Sequence, residues 1–247
     1  MNATIEALFS RKSVRAYTDE EITPEEEQVI LEAACQAPTA GNQQMYSIIV
    51  VRDRAKIEAL IKSCDNQPFI GEAQLVLAFC ADVRRWWRVF EAAGCEPRDP
   101  GPGDMVLAMQ DALIAAQNAV TAAESLGIGS CYIGDFMEHY DEQRSILNLP
   151  KYVVPATILV LGYPTQQQKD RKKPPRFDLD VVVFEDEYRD LPVEDVRAAC
   201  AKKIGSVDAS RGPESIKAFC DRKWNSGFSC EMSRSIAQAL EQFTFRG

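Results

Sequence analysis

Apolar positions recur at helical spacing over residues 104–126. Met105, Met109, Ala112, Leu113, Ala116, Val120, Ala123 and Leu126 form one stripe before Gly127 supplies a C-terminal cap. This longest regular segment predicts a helix in the core or at a subunit interface, with methionines that serve packing. A second helix is announced by "TDEEITPEEE". Thr23 is its N-cap, Pro24 its first helical residue and Glu26 the third-position partner of a capping box, and the acidic first turn suits the helix dipole. The helix runs from Pro24 to about Ala37, buries Val29, Ile30, Ala33, Ala34 and Ala37, and ends at Pro38.

Elsewhere the apolar residues come in short unbroken runs. "YSIIVVRD" at 46–53 and "AQLVLAFCAD" at 73–82 predict buried strands, with "RAKIEALIKSC" as a helix between them. "IGSCYIG" and "VVPATILVLGYP" add two strands, and "LDVVVFED" a short edge strand. Helices and strands alternate without clean β-α-β regularity, which predicts an α+β fold: a sheet flanked by helices.

Residues 164–178, "PTQQQKDRKKPPRFD", are polar and proline-rich and predict a surface loop. Beyond it the pattern is helical but irregular and too poor in apolar residues for an independent core. The expectation is one domain over 1–247, with a core of about 1–190 and a C-terminal extension, 191–247, that wraps or caps it.

Charge narrows the partners. A net charge of -9 repels polyanions, so neither nucleic acid nor an anionic membrane is expected, and an anionic ligand must be small and locally gripped. The amino terminus lacks a basic and then apolar leader, and no apolar run is long enough to cross a bilayer, which places the protein in the cytoplasm. The eight cysteines are scattered with no C-x-x-C pair and read as reduced, mostly structural thiols. His139 is the single histidine. It reads as a solvated helix residue, which argues against a Ser-His-Asp hydrolase, and no Cys/His pair has zinc-ligand spacing, so no metal is expected.

The glycines of "LGIGSCYIG" do not make a dinucleotide fingerprint. Gly127, Gly129 and Gly134 are spaced one residue too long, and the order is helix then strand. They mark either a capped helix and a tight turn, or a strand end where a flat ligand touches the backbone. Two runs concentrate cations: "RKSVR" at 11–15, and "KDRKKPPR" at 169–176. Taken singly, each reads as a solvated face. Together, their forked guanidinium groups and the Ser13 hydroxyl are equipment for one phosphomonoester. Between the second helix and the first strand, "APTAGNQQMYSIIVV" supplies a small, polar loop that can read a ligand edge.

Arg-x-Ser-x-Arg near the start, "ACQAPTAGNQQ", "GIGSCYIG" after a long helix and the late basic-proline loop together resemble the FMN-dependent nitroreductase family. More narrowly the chain is similar to its NAD(P)H-dependent nitroreductase and flavin reductase branch, in which "QPFIGEAQLVLAFCAD" and "KKPPRFDLDVVVFEDEY" also have counterparts. The resemblance covers residues 5 to about 190 and implies a nitroreductase-like fold, with a central, mostly antiparallel sheet flanked by helices, in an intertwined homodimer. It implies that Arg11, Lys12 and Ser13 meet the FMN phosphate and ribityl chain, joined by Lys173 and Arg176. Arg15 would lie at the flavin N1–O2 edge, where a cation favours the reduced ring, with Gln67 supporting that edge. Pro38, Thr39, Ala40, Gly41 and Asn42 would form a loop that meets the flavin held by the other subunit. Ile133, Gly134 and Asp135 would place backbone against the ring, with an amide directed at N5. Lys12 and Thr39-Ala40-Gly41 depart from the commoner Arg or His and serine-rich loop.

The implied activity is hydride transfer from NAD(P)H through FMN to a nitroaromatic, a quinone, another small aromatic or a flavin, by a ping-pong mechanism with little side-chain acid-base work. A non-catalytic flavin-binding sensor or storage protein, or a related flavin enzyme such as a reductive dehalogenase, stands as the alternative. Past residue 205 the resemblance thins. There Arg211, Arg222, Lys223 or Arg234 would choose the 2'-phosphate of NADPH from a capping segment, or the segment is an arm packed on the partner subunit.

Overall fold

The computed structural model describes residues 2–205 and 216–244, which divide into two compact units. The first comprises residues 1–171 and 231–247. Its elements are α1 (Ala3–Ser10), α2 (Pro24–Cys35), β1 (Tyr46–Val50), α3 (Arg54–Ser63), α4 (Phe69–Glu72), β2 (Leu75–Asp82), α5 (Arg84–Ala92), α6 (Pro102–Ser125), β3 (Gly129–Ile133), α7 (Tyr140–Leu147), β4 (Val153–Gly162) and α8 (Gln166–Asp170). Two single turns of 3-10 helix lie at Ala40–Asn42 and Gly134–Met137.

The four strands form one sheet in the order β1-β2-β4-β3, every pair antiparallel. The continuous apolar runs have a direct cause: β2 and β4 are central and buried on both faces. Leu75, Leu77 and Phe79 pack with α2 and α6 on one face, through Ile30, Ala34, Ala112, Ala116 and Val120. Val76, Ala78 and Cys80 pack on the other with Ile57, Leu60, Ile133 and Phe136. Alternation is the ordinary consequence of a strand's twofold period, and helices on both sides make it apolar throughout.

Helix α2 starts where its cap predicts. Thr23 Oγ1 accepts from Glu26 N at 3.2 Å while Glu26 Oε2 accepts from Thr23 N at 2.8 Å, a complete capping box. The Asp104 carboxylate accepts from Gly101 N at 2.8 Å and is held by both terminal nitrogens of Arg98, at 2.6 and 2.9 Å, which starts α6 two residues before the predicted point. Two predicted buried residues sit outside the core. Val29 is 48% exposed and Leu113 42%, and with Val106, Leu107 and Ile114 the latter gives α6 an apolar outer side.

The second unit, residues 172–230, contains α9 (Leu179–Val182), α10 (Val193–Gly205) and α11 (Ile216–Lys223), and α12 (Gly227–Leu240) begins in it. The edge strand expected over "LDVVVFED" is the single helical turn α9, with Leu179, Val182 and Val183 exposed. The sheet consists of β1 to β4 alone among the described residues, and β-formers take up a strand only where one is there to pair with. The loop expected over 164–178 likewise contains α8, capped by Thr165.

The chain then returns to the first unit. Ser235 Oγ accepts from Tyr140 N at 2.8 Å, Gln242 Oε1 accepts from Tyr152 N at 2.5 Å, and Ala239 and Phe243 are buried. The extension assigned to 191–247 therefore supplies part of the first unit's core. All eight cysteines are free, and only Cys64, Cys80 and Cys131 are buried, so half the thiols expected to be structural (Cys35, Cys95, Cys220 and Cys230) lie at the surface. Among the described residues, no helix is long and apolar enough to cross a membrane.

Candidate functional site

The basic segment lies across the ends of β3 and β4. Val14 N donates to Ser130 O at 2.9 Å, Ser13 pairs with Ser130 as a parallel bridge, and Thr18 N donates to Tyr163 O at 2.8 Å. Glycine permits this. A Cβ on Gly129 would come within 2.6 Å of the Val14 side chain, and one on Gly162 within 2.6 Å of the Tyr17 ring. Gly129 and Gly162 face each other in the β3–β4 register. Of the glycines weighed in "LGIGSCYIG", Gly127 caps α6 at φ +78° and Gly129 seats Val14, whereas a Cβ on Gly134 meets nothing within 4 Å. Gly127 is equally open but lies at the helix end, so the open space beside the end of β3 is at Gly134.

Arg11 follows α1 and is half-buried, with its guanidinium carbon 5.6 Å from the Tyr132 ring centroid. Its Nε and Nη2 are buried and have no hydrogen-bond partner among the described residues, and neither has the Ser130 hydroxyl. Buried polar atoms are ordinarily paired, so an orphaned guanidinium is a place where an anion fits. Arg15 is exposed, its guanidinium carbon 5.6 Å from the Phe69 centroid, and its backbone N–H donates to Gln168 Oε1 at 3.3 Å. Gln67, two residues from Phe69, is half-buried and donates to Cys64 O at 3.0 Å. Burial pushes the Cys131 thiol up, against the opposing influence of Arg15, Ser13 and Arg11, which gather around it. Burial also pushes the Tyr132 phenol up to about 12, with Arg11 opposing.

Lys12 has a different setting from the one expected. Its ammonium donates to the carbonyls of Lys169 and Arg171, at the C-terminal end of α8, and Arg171 donates in return to Ser13 O. The first basic run and the start of the second are thus latched through backbone carbonyls, which leaves one Lys12 donor for an anion. Lys173 and Arg176 belong to the second unit, where Arg176 Nη1 donates to Pro174 O at 3.2 Å. Arg222 and Lys223 lie on α11 and Arg234 on α12, while Arg211 lies outside the described residues.

The loop Pro38–Asn42 is half-exposed to exposed and held from beneath. Asp111, buried on α6, accepts from Ala40 N at 2.9 Å through Oδ1 and from Met45 N at 3.1 Å through Oδ2. Trp86 Nε1 donates to Gln43 O at 2.6 Å, and Arg85 donates to Gln44 O at 3.0 Å and Tyr46 O at 3.1 Å. Gly41 and Asn42 both take φ +56°, a left-handed turn that a glycine and an asparagine accept. Sequence reasoning missed Asp111. The signal was present: one carboxylate stands on the alanine-rich buried side of α6, between Ala108 and Ala112.

The third predicted segment, Ile133–Asp135, ends β3 and enters the 3-10 turn, with Thr157 Oγ1 donating to Ile133 O at 3.3 Å. Just beyond, the reading of His139 as a solvated helix residue is corrected. It is half-buried at the N-cap position of α7, beside the buried Glu138. The Glu138 carboxyl is pushed up to about 8, first by burial and then by its contact with Glu231 and the charges of Asp65, Asp135 and Glu231. Burial pushes the Cys64 thiol up to about 12, with Asp135 adding to the effect.

Comparison with known proteins gives the family. The model of the Nitroreductase family matches residues 8–163, from the basic segment through the last strand. The "Oxygen-insensitive NADPH nitroreductase" of Salmonella typhimurium is 35% identical over 213 residues, 86% of this chain and 85% of the relative. The "FMN reductase [NAD(P)H]" of Bacillus subtilis is 34% identical over 247 residues, 99% of this chain and 94% of the relative. Among solved structures, NfrA2 of B. megaterium superposes with a TM-score of 0.88 at 26% identity, covering 100% of both chains. The NADPH:FMN oxidoreductase of Vibrio harveyi complexed with NAD+ superposes with a TM-score of 0.82 at 26% identity, covering 97% of this chain and 98% of that one. With the antiparallel sheet, the glycine-seated basic segment and whole-length relatives in agreement, the chain belongs to the nitroreductase family.

Proposed function

We propose that the protein is a homodimeric, cytoplasmic FMN oxidoreductase that draws hydride from NAD(P)H and delivers it to nitroaromatics, quinones or flavins. The observation that carries this reading is the half-buried Arg11 guanidinium, two of whose nitrogens are buried without partners among the described residues. Bound FMN would supply hydride exchange at its N5. The chain's residues do the rest: Arg11, Ser13 and the remaining Lys12 donor hold the phosphate and ribityl chain by charge-assisted bonds. Arg15 sets positive charge at the N1–O2 edge, with Gln67 bonding the same edge. Gly134 leaves room for a flat ring, and Ile133 and Asp135 complete the backbone beside it.

Two features support the dimer. The loop Pro38–Asn42 stands ready on a rigid base to meet a flavin held by a second copy, and α6 presents an apolar outer side of Val106, Leu107, Leu113 and Ile114 for that copy to cover. Electron donor and acceptor then use one open face in turn, so their kinetics are ping-pong.

The test is steady-state oxidation of NADPH and NADH with menadione or nitrofurazone as acceptor, on protein supplied with FMN. Turnover with parallel double-reciprocal lines is expected. A flavin-loaded protein that consumes neither nucleotide would establish the storage or sensor reading in its place.

A further inference from the structure

The acidic groups behind the strand end form a cluster that the hydride reading does not use. Glu138 is 2% exposed, and its Oε2 is buried with no hydrogen-bond partner among the described residues. Two sets of potential ligand atoms meet at this side chain. One joins Glu138 to His139 and Glu231, the other joins it to Asp65 and Asp135, and within each set the ligand atoms lie within 4.8 Å of one another. Asp65 follows α3, Asp135 lies in the 3-10 turn, Glu138 and His139 lead into α7, and Glu231 comes from α12.

Four carboxyl groups and the chain's one imidazole thus converge from segments far apart in sequence. Like charges at such separations repel strongly where water is scarce. The cavity beside them, about 450 Å3, is lined by Glu138, His139, Glu231, Asp141 and Glu142, and Arg234 is the cation on its wall. One exposed guanidinium does not offset the surrounding acids, nor does it pair with the buried Oε2.

We propose that this cluster is a divalent metal site, built around Glu138, for an ion of the Mn2+ to Zn2+ class. Carboxylate oxygens alone suit magnesium or calcium, whereas an imidazole among them shifts the preference to a first-row transition ion. Such an ion joins three parts of the first unit: the turn that carries Asp135, the start of α7, and the returning helix α12. Its effect is to fix the C-terminal helix to the end of β3. The site stands on its own donor set and does not depend on the flavin reading.

The test is isothermal titration of EDTA-treated, full-length protein with MnCl2 and with ZnCl2, joined to thermal melts and X-band EPR of the Mn2+ form. One saturating equivalent per chain is expected, with a rise in melting temperature. Glu138→Gln should weaken binding at least about tenfold and abolish that rise. Glu231→Gln, at a half-buried helical position, provides the same readout if the first variant folds poorly. Absence of saturable binding would overturn the proposal. So would wild-type affinity in both variants, which would mean that the ion sits elsewhere on an acidic surface. A Glu138→Gln protein that is more stable while the wild type binds no ion would show that the acids merely share a proton, and would overturn it too.

Discussion

At the residue scale the most consequential side chain is one that carries no ligand. Asp111 fixes the Pro38–Asn42 loop by accepting two backbone N–H groups, one of them from the buried Met45. Replacing it with alanine leaves both donors unsatisfied beneath the loop. Bonds to a charged acceptor contribute roughly 1.5 to 3 kcal/mol each, and removing a buried carboxylate recovers part of its desolvation, so Asp111→Ala should cost about 3 kcal/mol. Urea unfolding would measure it; a loss below about 1 kcal/mol would mean that the loop holds its shape without Asp111. The cation run was legible in sequence because arginine and lysine cluster there against a net negative chain. How those cations are partnered was not, since two of the three Lys12 donors go to the carbonyls of a helix over 150 residues away in sequence.

At the element scale, the start of α2 gives a paired prediction. Thr23→Ala removes the cap on Glu26 N and should cost about 1 kcal/mol. Its partner Glu26 also accepts from the Tyr163 hydroxyl at 2.6 Å, and that bond, followed by the Thr23 N–H, holds its carboxyl below the usual carboxylate range. A depressed folded-state value means that the stabilisation is complete above the ordinary carboxylate pKa and is lost as pH falls through the folded value. The melting-temperature gap between wild type and Glu26→Gln should therefore be widest near neutrality and close in acid. A gap that widens in acid would contradict this assignment. Strands and caps were readable because their signals are local: β2 and β4 are apolar on both faces, and a capping box spans four residues. Residues 179–182 misled because β-branched composition looks the same with or without a neighbouring strand.

At the scale of the whole molecule, the sequence conveys one sheet between helices, and the parts it conceals are long-range. The return of the C-terminus combines the burial of Ala239 and Phe243 with bonds such as Ser235 to Tyr140 and Gln242 to Tyr152, whose partners lie 95 and 90 residues earlier in the chain. The acid cluster is hidden for the same reason: Asp65, Glu138 and Glu231 are unremarkable one at a time and meet only in the fold. Metal-spacing rules look for near neighbours in sequence and do not register a cluster of this kind. The basic segment and loop, by contrast, keep their order along the chain, which is why the family was visible before the fold.

The central claim is that guanidinium groups beside the glycine-seated strand ends hold FMN, and absorption of the purified protein tests it most directly. Wild type should be yellow, with bands near roughly 370 and 450 nm. Arg11→Ala/Arg15→Ala, with an unchanged far-ultraviolet spectrum, should be colourless, because each charge-assisted contact contributes about 1.5 to 3 kcal/mol. A folded double variant that stays fully yellow would contradict the account.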